Sequence, residues 1–488
     1  MSLRKATFSA SRWITISLLI RVLLQVAQIM VLARLLLPAD FGMMAIAAAA
    51  YAVIAIFVDL GLSSALIHFP RPPASTLSTL YWLNLGAAGA LALVLIAIAW
   101  PLAQAYTEPS LFPVLLTMSL ALPLSALGLQ FRVMAEKEMR FSKLALIETA
   151  AALVGFLAAI VVALLNGGVY ALVASALVTA GLASGLAWLL LSHGLRPGFQ
   201  FRISEVNNYL RYGGYRLGDS LFNALRMQTD IFIGGLFSSA TAMGMYALSR
   251  DWNLRLANTF VNPIVTRVGL PVMAKVQSDK TALKSVYLQA LRMTASVNFP
   301  IYMAIAIWSE EVVAILLGDQ WRGAAFYMRL FAIWGLIRST GNPVGSLLYA
   351  AGHVRRAFWW NLILFVAMPI PLALGAWIDG TRGLAWAMLV TQALIFYPAF
   401  HYLVRPACLA SFREYWAQLS APLLASLGAL FLGYGASLLF LNPWLQLCIG
   451  LTFSSFSYLG LSWLLNRSWL SAMIELSEPL LRLLVPHR

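Results

Sequence analysis

YGGYRLGDSLFNALRMQTDIFIGGLFSS (212–239) and GMYALSRDWNLRLANTFVNPIVTRVGLPVMAKV (244–276) read as two membrane helices carrying more charge than lipid tolerates. At 1.5 Å per residue each is long enough to cross a hydrocarbon core of about 30 Å. In the first, Asp219, Arg226 and Asp230 are spaced seven and four apart, so they share one helical face. In the second, Asp251, Arg255, Asn258 and Asn262 follow an i, i+4, i+7, i+11 stripe, again one face. An ionisable group on a central membrane turn costs about 2.5–3.5 kcal/mol even on lenient insertion scales, so such groups face a bundle interior or a water-filled cavity. Two adjacent helices with a polar stripe each predict a lumen, and the function is expected there.

The 488 residues are 61% hydrophobic and only 10% charged, which makes the chain an integral membrane protein. Cys408 and Cys448 form neither a spaced framework nor a metal motif and are expected as free thiols. The N-terminal MSLRKATFSASRW runs into an apolar stretch too long for a signal-peptide core, so a retained first helix is expected. Apolar stretches of spanning length fall near 12–33, 41–67, 77–103, 110–132, 144–165, 169–192, 211–237, 244–274, 288–316, 325–350, 357–378, 383–404, 419–440 and 444–465. That predicts fourteen spans, with polar connectors at 193–210 and 405–418.

The net charge of +15 is a matter of topology rather than of nucleic acid. Lys and Arg gather in the loops on one side, from Arg4 and Lys5 through Arg140 and Lys143 to Arg482 and Arg488. Opposite them stand only Arg34, Arg322 and Arg382. The positive-inside rule then puts both termini in the cytoplasm. The outward loops are all short, which leaves no room for an external catalytic domain. The tail 467–488, with Trp469, Leu470, Met473, Leu476, Leu480 and Leu484 on one side, reads as an amphipathic helix on the inner surface.

An internal repeat is visible. ARLLLPADFGMMAIA restarts a helix at Phe41-Gly42-Met43, and IGGLFSSATAMGMYALS does the same at Met243-Gly244-Met245. The second helix of each pair closes on Gly61-Leu62-Ser63 and Gly269-Leu270-Pro271. The expected parse is a lobe at 1–195, a second at 196–405, two extra helices at 406–466 and the tail at 467–488. Both six-helix lobes start inside, as parallel repeats about an axis along the membrane normal do, with substrate held between them. Asp40, in Pro-Ala-Asp-Phe-Gly, is expected to cap the second helix.

On these residues the chain resembles a known family. LARLLLPADFG, the DLGLSSALI that closes the second helix, SRDWNLRLANTFVNPIVTRVGLPVMAKV and the polar connectors look like those of Wzx-type polysaccharide flippases. These form a fourteen-span branch of the multidrug/oligosaccharidyl-lipid/polysaccharide (MOP) exporter superfamily. The likeness covers about residues 8–465 and implies a MATE-like, all-α polytopic fold around a central cavity. It also implies a flippase that moves undecaprenyl-diphosphate-linked oligosaccharide across a bacterial inner membrane for exopolysaccharide, capsule or O-antigen assembly. A proton or sodium gradient would drive it beside polymerase or export components, with no cofactor. Ala39 departs from the pattern, which often has an acidic residue at that turn.

The residues themselves point the same way. Arg21, Arg226, Arg255 and Arg338 each lie near a span midpoint, within roughly 5 Å of the bilayer centre at 1.5 Å per residue. Guanidinium stays charged at depth and grips phosphate or carboxylate with paired hydrogen bonds. A lipid diphosphate or acidic sugar is the anion such groups attract. Gln25 and Gln28 beside Arg21, with Asn258 and Asn262, could bond sugar hydroxyls. The plainer readings stand beside these: Arg226–Asp230 and Arg255–Asp251 as ion pairs along one helix. Arg21 and Arg338 have no acid within a turn. Asp230 and Asp251, between cations and desolvation, are candidates for taking up a coupling ion, with Glu148 and Asp59 as alternatives.

A small-molecule exporter of the same superfamily that carried cations would want carboxylates at the centre, where arginine stands. A glycosyl-transferring enzyme would want a large external loop. No nucleophilic triad, metal-ligand spacing or phosphate-binding glycine loop occurs in the sequence, so an enzyme is not expected.

Overall fold

The computed structural model describes residues 20–59, 63, 66, 72–193, 195–202, 205–256, 269–471 and 473. It is helical throughout, and among the described residues no strand forms. Nine segments among them are long and apolar enough to cross a membrane. The chain packs as two compact units, Met1–Gly244 and Met245–Arg488.

The first unit holds α1 (20–35), α2 (Pro38–Val58), α3 (Ala74–Ala105), α4 (Leu111–Ser119), α5 (Ala121–Lys137), α6 (Phe141–Leu164), α7 (Tyr170–Leu191) and α8 (Asn207–Phe237), and α9 (Ala240–Leu256) begins in it. Pro38 opens α2 at its first position, where a missing N–H costs nothing. Asp40 is therefore not the cap. Leu37 is, and Asp40 Oδ2 accepts the Leu37 N–H at 2.9 Å from the third helical position. The acid still quiets an orphan donor of the first turn, because three residues on is where a side chain can reach back.

The repeated glycines meet. A Cβ built on Gly42 would stand 1.8 Å from the Ala240 carbonyl oxygen, and one on Gly244 1.8 Å from that of Pro38. The starts of α2 and α9 thus cross backbone to backbone, which only a residue without Cβ permits. Beside them Tyr106, capping α3, donates its hydroxyl to the Phe232 carbonyl of α8 at 3.1 Å.

α6 and α7 pair through small residues. Ala151, Gly155, Ala159 and Ala163 recur every four residues along the buried face of α6. Gly155 lies so close to Thr179 of α7 that an added Cβ would be 2.0 Å from its Oγ1. In lipid there is no hydrophobic drive between helices, so close packing over small residues supplies the attraction.

The connector that enters α8 is tied to the start of α3. Gly198 N and Arg202 N donate to Ser78 Oγ and Thr79 Oγ1, at 2.8 and 3.0 Å. Glu205 receives Ser75 Oγ, Thr76 Oγ1 and Arg202 Nη1 at 2.8, 3.0 and 3.2 Å. The hydroxyls first, then the guanidinium, hold its carboxyl below the usual carboxylate range.

The second unit continues with α10 (Leu270–Lys275), α11 (Lys280–Ile307), α12 (Ser309–Leu316), α13 (Ala324–Ser339), α14 (Asn342–Ala350), α15 (Val354–Ala367), α16 (Pro369–Ala399), α17 (Phe412–Ser437) and α18 (Pro443–Leu465). α16 is two legs. Asp379 and Gly380 leave helical geometry, Gly380 at φ 51°, and Gly375 and Gly383 then face each other backbone to backbone. The turn falls at the expected break near 379–382.

α17 repeats the small-residue device with buried Ala425, Ala429, Gly433 and Ser437, and Gly433 lies so close to α18 that an added Cβ would be 1.9 Å from Ser454 Oγ and 2.6 Å from the Gly450 carbonyl oxygen. Lys284 of α11 pairs with Glu414 of α17 at 2.8 Å. Beyond α18, Asn466 accepts Arg292 Nε at 2.7 Å and donates to Ser296 Oγ at 2.8 Å. Trp469 then packs on Tyr458 with ring centroids 5.6 Å apart. The rest of the expected surface helix lies outside the described residues. Cys408 is buried and Cys448 exposed, both free.

Candidate functional site

In the first unit two polar pairs reach from one helix to another. Arg21, in α1, forms an ion pair through Nη1 with Glu148 Oε2 of α6, 127 residues away. The two side chains keep 37% and 34% exposure, so the pair is not sealed inside the bundle. Two turns on, Gln28 donates Nε2 to Ser175 Oγ of α7 at 3.0 Å, while Gln25 between them is exposed.

Glu148 also lies within Coulombic reach of Arg132 and Glu136 on α5. The span was expected to end at 132, but α5 runs to Lys137 and keeps Arg132 inside the helix, part-buried. Arg132 donates Nη2 to the Ser125 carbonyl at 3.3 Å. Tyr51 of α2 stands 3.4 Å from the Ser125 hydroxyl. The buried Nε groups of Arg21 and Arg132 each lack an acceptor among the described residues. An N–H without acceptor in a low-dielectric wall is costly to keep and ready for an anion.

On α8, Arg226 donates Nη2 to Asn223 Oδ1 at 3.3 Å. Asp230, one turn on, is 4% exposed. The side chain of Asp219 lies outside the described residues.

In the second unit Asp251 is half exposed, with Oδ1 3.9 Å from Nε of Arg250, a cation only 6% exposed along its side chain. Arg255, in the last turn of α9, is exposed and among the described residues makes no ion pair. Asn258 and Asn262 lie outside the described residues. Arg338 ends α13 with its guanidinium 4.9 Å over the Trp334 ring, a cation–π contact. Asn253 of α9 is fully buried, donating Nδ2 to the Ser249 carbonyl at 2.9 Å and leaving Oδ1 without a partner among the described residues.

Arg132, Glu148 as the partner of Arg21, and buried Arg250 are the groups that sequence spacing did not single out for the site. Arg250 precedes Asp251 and so falls off the i, i+4 stripe. Glu148 carries a signal only when its depth is matched to that of Arg21 on another helix.

Comparison with known proteins bears on the family and the fold. The sequence pattern of the polysaccharide biosynthesis protein family matches residues 31–326. The chain is 28% identical over 436 residues to the lipopolysaccharide biosynthesis protein WzxC of Escherichia coli K12, covering 89% of this chain and 88% of that one. It is 24% identical over 438 residues to the teichuronic acid biosynthesis protein TuaB of Bacillus subtilis 168, with 90% of each chain covered. The succinoglycan biosynthesis transport protein ExoT of Rhizobium meliloti 1021 is 25% identical over 456 residues, 92% of this chain and 91% of that one. Among solved structures, the lipid II flippase MurJ in an inward closed conformation superimposes with a TM-score of 0.75 at 11% identity, covering 95% of this chain and all of that one. An inward-facing MATE transporter of the MOP superfamily gives 0.59 at 12%, over 79% and 94%. These two likenesses are of fold. With its repeated hairpins, its helical architecture and a family pattern matched across well over half its length, the chain belongs to the polysaccharide biosynthesis protein family, in the Wzx-type branch that its motifs resemble.

Proposed function

We propose that this protein is a flippase that carries undecaprenyl-diphosphate-linked oligosaccharide from the cytoplasmic to the periplasmic leaflet of a bacterial inner membrane by alternating access. The full-length likeness to WzxC, TuaB and ExoT, proteins named for lipopolysaccharide, teichuronic acid and succinoglycan biosynthesis, carries the reading. In it the chain crosses the membrane fourteen times with both termini cytoplasmic. The lobes are 1–195 and 196–405, followed by helices at 406–466 and a surface tail at 467–488. Arg21, Arg226, Arg255 and Arg338 attract the diphosphate or an acidic sugar, because guanidinium remains charged in a low-dielectric wall. Gln25, Gln28, Asn258 and Asn262 bond sugar hydroxyls. Asp230 and Asp251 take up the coupling ion, proton or sodium, and the chain works beside polymerase or export components.

The test is translocation of a purified undecaprenyl-diphosphate oligosaccharide in proteoliposomes, comparing the wild type with Arg21→Ala, Arg226→Ala, Arg255→Ala and Arg338→Ala. Flipping by the wild type, lost in at least two folded variants, supports the reading. Ion-coupled uptake of a small soluble compound, with no binding of any lipid-linked glycan, overturns it in favour of a MATE-like exporter. For coupling, transport whose pH and sodium dependence survives Asp230→Asn with Asp251→Asn removes those two residues from the role.

A further inference from the structure

The first unit contains a carboxylate where an anionic ligand would be expected. Arg132 lies five residues before the end of α5, and Glu148 seven residues after the start of α6. At 1.5 Å per residue the two stand at similar depth, roughly 8–11 Å from the turn that joins their helices. Arg21 reaches the same point from α1. Arg21 is ion-paired to this carboxylate, and Arg132 lies within Coulombic reach of it without touching it. Each keeps a buried Nε–H with no acceptor among the described residues, so Glu148 does not saturate them. Glu136 adds a second negative charge within reach of both Arg132 and Glu148, which works against Glu148 staying put. The Arg21–Glu148 pair is about one-third exposed, so a ligand can reach it without unfolding a helix.

We propose that Arg21 and Arg132 form a diphosphate-binding site that Glu148 occupies in the empty protein as an internal counter-anion, and that the ligand's diphosphate displaces it. The inference rests on the flippase reading for its ligand but not for its chemistry. A carboxylate offers two acceptor oxygens, whereas a diphosphate offers more and carries more charge, enough to use the Nε donors that Glu148 leaves unmatched. Displaced, Glu148 stands beside Glu136, and their repulsion favours its return once the diphosphate has left. Ligand and carboxylate thus alternate on the same donors. Arg21 is never left as a bare cation in the wall, which would be costly. The turn between α5 and α6 lies at the end expected to face the cytoplasm, the side from which a headgroup would enter.

Binding to the full-length protein in nanodiscs tests this, with inorganic pyrophosphate and farnesyl diphosphate as probes. Glu148→Gln removes the competitor and should tighten both by about tenfold, the change that one charge-assisted contact is worth. Arg132→Gln and Arg21→Gln should weaken both by a similar factor, and the gain from Glu148→Gln should vanish in the Arg21→Gln background. Farnesyl diphosphate binding without pyrophosphate binding would assign the affinity to the isoprenyl chain and overturn the site. Unchanged or weaker binding by Glu148→Gln would also overturn it. If that variant does not fold, Glu148→Asp, which keeps the charge but shortens its reach to Arg21, should tighten binding by a lesser factor, and no change would overturn the site. The two readings separate cleanly. Lipid-linked glycan flipped by a wild type whose variants show no diphosphate effect ends the counter-anion proposal alone. A diphosphate effect in a protein that flips no lipid-linked glycan ends the flippase reading alone.

Discussion

Replacing Gly42 by Ala should break the crossing of α2 and α9. The added Cβ would fall 1.8 Å from the Ala240 carbonyl oxygen and 2.7 Å from its carbon, and real Cβ contacts do not go below 3.0 Å. The obstacle is backbone, so no side chain can rotate out of the way. Overpacking of this kind costs about 3 kcal/mol at its upper end. Alanine returns up to about 1 kcal/mol through helix propensity, which leaves about 2 kcal/mol of net loss. For a unit of this size each kcal/mol moves the midpoint by about 2–4 °C, so the variant should unfold roughly 4–8 °C lower. Gly244→Ala meets the Pro38 carbonyl at the same 1.8 Å and should behave alike. Once either residue has pushed the backbones apart, the second finds the space already open. The double variant should therefore lose little more than each single one, a coupling of about 2 kcal/mol between neighbouring sites. Gly86→Ala, which meets nothing within 4 Å, is the control and should leave the midpoint unchanged or higher. The assay is thermal unfolding of the purified protein in detergent, followed by tryptophan fluorescence. A Gly42→Ala variant as stable as Gly86→Ala, or losses that add in the double variant, would refute the reasoning.

Three further outcomes follow from the packing. Gly433→Leu should separate α17 from α18 at a cost of about 3 kcal/mol, since even a Cβ would lie 1.9 Å from Ser454 Oγ; Gly435→Ala, with nothing within 4 Å, should be near neutral in the same melts. Asn466→Ala removes the acceptor of Arg292 and the donor to Ser296, so it should cost about 1–2 kcal/mol; accelerated proteolysis after residue 465 would report it. Glu205 has a lowered folded-state pKa, so its contribution is present in full above the ordinary carboxylate range and is lost as pH falls through the folded value. Melts from pH 7 down to pH 3 should show the gap between wild type and Glu205→Gln closing with acid, and a constant gap would disprove the linkage.

Helix positions were the most legible part of the chain, because lipid demands long apolar runs with internally satisfied backbones. The stretch read as 211–237 begins at Asn207 and ends at Phe237, and the loop read at 379–382 contains the break at Asp379–Gly380. The repeated glycine hairpins were visible as a pattern, and their mutual contact explains why the pattern exists. Partnerships between helices were not legible. Spacing rules describe one helix at a time, so Arg21 showed only that it had no acid nearby, and Glu148 was a separate residue near a span end. Asp40 was misplaced by one role, because Pro38 can start a helix earlier than an Asp that looks like a cap. Arg132 was read as the closing residue of the 110–132 span, at the membrane edge where a charge ordinarily sits, whereas α5 continues to Lys137.

The four-residue stripes of small side chains also bear on how the protein is made. α6 and α7 are joined by residues 165–169, and α17 and α18 by 438–442. Each pair meets over surfaces that lie close in sequence, so little chain entropy is lost in bringing them together. Contacts of that kind form early, and domains of a growing chain assemble in the order in which they emerge. The α6–α7 hairpin can therefore associate as soon as it enters the bilayer, before the second unit has been synthesised. The α17–α18 hairpin can dock as a finished piece, guided onto α11 by Lys284 and Arg292. Biogenesis is thus expected to proceed by hairpins rather than by single helices, with each stripe fixing the register of its pair at the moment of insertion.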